Sequence, residues 1–254
     1  MYDWPELRDE TDARWAAMRD DLRRQSIDAP DNLTRRNGDM PAVSGGIRDE
    51  AGNIIAADPA SLPPDELDLA VLWRHPALLV AETCWGPMEL GLAPHVTVIG
   101  QTDYDGIAGG GGEFYSSVIV ARRDEGQPVL PPANGNAHLP IRFFQGRRFA
   151  FNEHHSLSGN LALERDLKAV GTGLALFAET VQTGGHRASI RAVAEGLADV
   201  AAIDCKSWAL AQTWEPAARA LHAIGWTARR KGLPLIRSKS LSAGRAGRRS
   251  QPAA

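Results

Sequence analysis

Between Arg148 and Asp204 the chain changes its hydrophobic period repeatedly, and each change falls at a run of small polar residues. Arg148-Phe149-Ala150-Phe151-Asn152 reads as a strand, and a helix follows from about Ser158. Phe177–Thr183 reads as a second strand, Arg187–Glu195 as a second helix, and Asp199–Ile203 as a third strand. Strand and helix alternating at this pitch predict parallel βαβ units, because a parallel strand pair needs a crossover long enough to hold a helix. A chain built around such a segment is an α/β protein with its loops gathered at the carboxyl ends of the strands.

The flanking regions extend this frame. Pro5 stands inside a first helical turn bracketed by Asp3 and Glu6 in a capping-box-like arrangement. Leu7, Trp15, Met18 and Leu22 then share one helical face, which is expected to pack on a core. From Ile27 to about Glu66 periodicity is lost among prolines and glycines, so residues 27–66 read as a surface insertion with a small hairpin near Ile54-Ile55. Leu67–Trp73 resumes regular structure, Leu78–Ala81 and Val96–Ile99 read as strands, and Asp105–Gly112 as turns. Tyr115–Arg122 is the richest β-forming run, and a last strand is expected near Leu221–Thr227. The 238–254 tail, without apolar pattern, is expected to be disordered.

Composition excludes several classes of function. The net charge of −3 across 254 residues gives no electrostatic ground for a nucleic-acid partner. No stretch reaches the roughly 20 apolar residues of a membrane span, so direct membrane insertion is not expected. Met1–Glu6 lacks the basic and apolar regions of a signal peptide. The chain as written therefore reads as cytoplasmic, or as periplasmic if its N-terminus is truncated. Cys84 and Cys205, far apart and without metal-ligand spacing, are expected to be small buried hydrophobes. No cofactor is implied.

Two strand-to-helix junctions hold the candidate chemistry. In Asn152-Glu153-His154-His155-Ser156-Leu157-Ser158-Gly159-Asn160, Ser156 and Ser158 can cap a helix that buries Leu163, Leu167 and Val170. Its amides and dipole also suit an anion. Plain capping and an anion cradle both fit this motif. The second junction, Thr183-Gly184-Gly185-His186-Arg187-Ala188-Ser189, opens a helix with an apolar stripe of Ile190, Val193, Ala194 and Leu197, ended at Gly196. Gly184 and Gly185 permit unusual backbone angles, and His186 can donate to an oxyanion or titrate near neutrality. Two such loops in succession, at the carboxyl ends of strands, favour a ligand site over capping alone.

The run from Thr183 to Asp204 resembles the signature of the PhnD-like phosphate, phosphite and phosphonate substrate-binding proteins, of the type II periplasmic-binding-protein fold. Ser156-Leu157-Ser158-Gly159 is similar to that family's anion loop. Thr83-Cys84-Trp85-Gly86-Pro87 is similar to its first-lobe loop, and the resemblance spans roughly residues 67–236. It implies two lobes, each a mixed sheet flanked by helices, joined by two crossing strands. Lobe 1 would comprise 1–121 and 204–237, and lobe 2 would comprise 122–203, closing by a hinge on a small oxyanion. The resemblance places Ser156, Ser158, Gly159, His155, Gly185 and His186 around the anion, with Trp85 lining the cleft and Tyr104 and Tyr115 as weaker lining candidates. Asp204 would receive a cationic group of the ligand. The membrane components of an ABC transporter are the implied protein partners. An enzyme on the same scaffold, using His155 or His186 with Glu153 or Asp204, and a cytoplasmic ligand sensor are the alternatives.

Overall fold

The computed structural model describes residues 1–241. After a single 3₁₀ turn the chain forms α1 (Arg8–Arg24), the hairpin β1 (Ile47–Arg48) and β2 (Ile54–Ala56), and α2 (Leu69–Arg74). It continues through β3 (Ala81–Glu82), the short turn α3 (Trp85–Pro87), β4 (Val96–Gln101), β5 (Phe114–Tyr115) and β6 (Ser117–Arg122). Then come α4 (Ile141–Phe144), β7 (Arg148–Phe151), α5 (Ala162–Ala169), β8 (Glu179–Gln182) and α6 (His186–Ala194). The series ends with β9 (Val200–Asp204), α7 (Cys205–Trp214), β10 (Leu221–Trp226), β11 (Arg230–Lys231) and β12 (Pro234–Ser238).

The chain divides into two compact units, one of Met1–Thr83, Gly91–Gly100 and the C-terminal residues from Pro234, the other of Cys84–Leu90 and Gln101–Leu233. Within the second unit lies a five-stranded sheet of order β10-β6-β9-β7-β8. Strand β7 runs parallel to both β8 and β9, whereas β6 is antiparallel to β9 and β10. The α/β architecture with a mixed sheet flanked by helices is thus as expected. Residues 117–121 of β6 are all buried, as befits a central strand covered on both faces. One face meets Phe144, Phe149, Leu163, Leu167 and Phe177 in a single apolar cluster. Helix α6 packs against β6, β7 and β9. The first unit has its own three-stranded sheet of order β3-β12-β4 and a small cluster around Met40, Ile47 and Val71.

Several local expectations change. Helix α1 buries only Trp15, and Met18 is exposed. The 3₁₀ turn Pro5–Leu7 has no side-chain cap, because Asp3 instead binds Arg35 at 2.6 and 2.9 Å. Val170 and Leu197 point to solvent, since α5 stops at Ala169 and Gly196 turns the chain with φ +76° just beyond α6. The expected 78–81 strand shrinks to Ala81–Glu82, while Leu78 closes a turn onto His75 (3.0 Å). Helix α7 and strand β12 were not predicted, and β12 buries Ile236 and Ser238. Of the tail expected to be disordered, 242–254 lies outside the described residues. Among the described residues, no helix is long and apolar enough to cross a membrane.

Candidate functional site

Three loops leave the carboxyl ends of the adjacent parallel strands β9, β7 and β8, and they converge on one edge of the sheet. Strand β6 is antiparallel, so its beginning lies at the same edge, with Ser117 opposite Asp204. This topology brings Tyr115, the 156–159 loop, His186 and Asp204 together from positions far apart in sequence.

The loop after β7 closes into a wide helical turn, Leu157–Leu161, in which the Ala162 amide bonds the Leu157 carbonyl. Ser156 caps it: its Oγ accepts the Gly159 amide at 3.1 Å, and its carbonyl accepts the Asn160 and Leu161 amides. The side chain of Asn160 donates back to the His154 carbonyl at 2.9 Å, bracing the loop from within. Ser156 therefore caps the turn as one of the two readings expected. The Leu157 amide donates to the thiol sulfur of Cys84 at 3.2 Å. Cys84 is held there because Gly86 lies flat on the loop, where a Cβ would come within 1.8 Å of the His155 carbonyl oxygen.

Ser158, 4% exposed, places its Oγ 3.0 Å from His186 Nε2. The other ring nitrogen of His186 is buried without a well-formed hydrogen bond among the described residues, as is the hydroxyl of Tyr115. Burial draws the His186 pKa down to about 4, opposed by hydrogen bonding from the ring to the Ala202 backbone. His186 is thus a neutral donor–acceptor rather than a group titrating near neutrality. Burial also pushes the Tyr115 hydroxyl well above its usual range, helped by the charges of Cys84 and Asp204 and opposed by the nearby Ser158 hydroxyl, which is within hydrogen-bonding reach.

The remaining candidates divide. Tyr104 is fully buried, stacks on Tyr115 with ring centroids 5.2 Å apart, and accepts the Leu233 amide at 3.1 Å. Asp204 ends β9 and caps α7, accepting the Lys206 and Ser207 amides at 2.8 and 2.9 Å. Gly185 sits in extended backbone (φ −168°) with open space around it, so only Gly184, at φ +82°, needs to be glycine. His155 is exposed, and its carbonyl rather than its ring faces the Gly86 contact. Trp85 is half-buried and pinned by a 2.8 Å bond from Nε1 to the Gly232 carbonyl. It lines a hollow of about 260 Å³ with Glu89, Leu157, Arg165, Arg230 and Lys231. Among the described residues, no group of three or more His, Cys, Asp or Glu side chains could hold a metal ion.

Sequence reasoning passed over Cys84 as a member of this cluster, although it stands inside the Thr83–Pro87 loop that drew notice. A buried thiol and a hydrogen-bonding one look alike in sequence. It also passed over Glu215, which is 4% exposed and binds Arg187 at 2.6 Å and Arg191 at 2.8 Å. Those bonds fix the start of α6 and with it His186.

Comparison with proteins of curated function gives no match. Among solved structures, the chain is similar to PhnD1 from Prochlorococcus marinus (MIT 9301) in complex with methylphosphonate. The identity is 21%, with 62% of this chain and 56% of that one covered and a TM-score of 0.50. It is also similar to a binding protein component of an ABC phosphonate transporter from Pseudomonas aeruginosa, at 19% identity, 69% and 57% coverage and a TM-score of 0.49. The chain spans little more than half the length of these proteins, and the first likeness speaks for the fold alone. The family model described as "ABC transporter, phosphonate, periplasmic substrate-binding protein" matches residues 93–246, more than half of the sequence. The chain belongs to that family of phosphonate substrate-binding proteins.

Proposed function

We propose that this chain captures a small phosphorus oxyanion — phosphate, phosphite or a phosphonate — as the binding component of an ABC-type uptake system. The observation that carries the reading is the part-buried Ser158–His186 pair with the buried Tyr115 hydroxyl beside Ser158, within its reach but without a well-formed hydrogen bond. Buried polar groups are nearly always hydrogen-bonded, and an oxyanion supplies the acceptors these donors lack. A neutral imidazole carries one proton. If Ser158 donates to Nε2, the proton sits on Nδ1, where the Ala202 backbone competes for it. If Nε2 donates instead, the Ser158 hydroxyl proton remains. In the second arrangement the pair presents a donor, the Tyr115 hydroxyl can turn from Ser158 to supply another, and low local polarity strengthens both. Asp204 would accept from a protonated or cationic ligand, and Trp85 would flank it. The family is one of binding proteins, so the ligand is expected back unchanged. The transporter's membrane components are the partners this reading supplies, with neither nucleic acid nor bilayer.

Titration calorimetry with phosphate, phosphite, methylphosphonate, aminoethylphosphonate and sulfate tests it. At least one phosphorus oxyanion should bind. Ser158→Ala and His186→Ala should each weaken it about 10- to 100-fold, the loss expected for one hydrogen bond to a charged group. Absence of binding to every anion, or affinity indifferent to both substitutions, would sink the reading.

A further inference from the structure

We propose that Cys84 is a specificity-determining residue of the anion loop: its thiol occupies the Leu157 amide and must yield that donor to an incoming oxyanion. The inference rests on the reading of this loop as an anion site. The sulfur accepts the Leu157 amide at 3.2 Å, and Cys84 is 3% exposed and forms no disulfide. The amides of Gly86 and Ser158 lie close enough to oppose, in part, the upward push of burial on the thiol. The thiol therefore stays protonated and weakly accepting. The Tyr115 hydroxyl, buried without a well-formed hydrogen bond among the described residues, lies near Cys84 and within reach of Ser158 and marks the same place as a ligand position.

A thiol is a poor hydrogen-bond acceptor, whereas an oxyanion oxygen makes charge-assisted bonds about twice as strong as neutral ones. Exchange of sulfur for ligand oxygen at the Leu157 amide is favourable for that reason, yet it costs the sulfur its contact. The backbone cannot retreat to make the exchange easy. Trp85 is bonded to the Gly232 carbonyl at 2.8 Å, and Gly86 is pressed on His155. The side chain must turn about its own χ1, so the residue at position 84 sets how readily the cradle opens. An oxygen at this position would hold the amide more firmly than sulfur does, and a methyl would not hold it at all.

Wild type, Cys84→Ala and Cys84→Ser are titrated calorimetrically with inorganic phosphate and methylphosphonate, after circular dichroism confirms folding. Cys84→Ala should bind about threefold to tenfold tighter than wild type, and Cys84→Ser no tighter. Cys84→Ala at or below wild-type affinity would overturn the proposal and leave the anion reading standing. Silence from all three proteins would remove both. A second measurement serves should Cys84→Ala misfold: the ¹⁵N–¹H resonance of Leu157 in wild type should move as phosphate saturates. A resonance unmoved at saturation, with calorimetric binding present, would overturn the displacement.

Discussion

His186 is held neutral by the burial of its ring, and that has a consequence for stability. Its folded pKa of about 4 lies below the 6.5 of an unperturbed histidine. The unfolded chain therefore takes up a proton first as pH falls. The contribution is complete above about pH 6.5 and is lost progressively down to pH 4, by about 3 kcal/mol. Urea denaturation at pH 7.5 and at pH 4.5 should show that decline, and it should be much smaller in His186→Gln. A Cβ on Gly159 would come within 1.7 Å of Asn152 Oδ1, a buried atom with little room to move. Gly159→Ala is expected to lose about 1–3 kcal/mol by overpacking. Gly185→Ala, in open extended backbone, should unfold within about 0.5 kcal/mol of wild type, as surface changes usually do. Thermal melts of both variants decide the matter.

At the scale of elements, the position of His186 depends on how α6 is anchored. Glu215 is drawn two ways: burial pushes its pKa up, and the bonds from Arg187 and Arg191 outweigh this and leave it lowered. Glu215 also caps the following 3₁₀ turn through the Ala217 amide at 3.2 Å. Glu215→Gln would weaken the bonds from two guanidiniums that are 25% and 52% exposed, at a cost of about 1–2 kcal/mol. Equilibrium denaturation should record that loss, and hydrogen exchange should quicken across the first turn of α6. A comparable anchor ties β7 to β9, where Asp199 binds Arg148 at 2.8 Å and Arg122 at 3.4 Å. Hydrogen bonds from Arg148, more than burial, decide its charge and hold its carboxyl well below the usual range.

For the whole molecule, the division into two units with separate sheets predicts that damage stays local. Ile236 is fully buried in β12, the middle strand of its sheet. Ile236→Ala should cost that unit about 2–4 kcal/mol. Amide exchange should then accelerate in β3 and β4 while Val118–Ala121 remain protected, because each unit opens according to its own core. Equal acceleration in both would show that the units share one cooperative transition.

The alternation from Arg148 to Asp204 was legible because each element follows a local rule. Phe149 and Phe151 alternate with a sheet's period, Ser156 caps, and Gly196 ends a helix with a positive φ. Both site loops followed directly, since a strand-to-helix junction in a parallel sheet has one end at which to sit. Strand β12 was not legible: Pro234–Ser238 owes its strand to pairing with Ala81–Glu82, some 150 residues away. Nor was Cys84, whose role depends on an amide 73 positions along the chain. The charge of His186 escaped as well, because desolvation is a property of everything packed around a ring. Period, caps, turns and the order of strands and helices are local properties, and each could be read along the chain. The tertiary structure alone decided which distant backbone completes a strand, which donor a thiol meets, and how far each ionisable group lies from water.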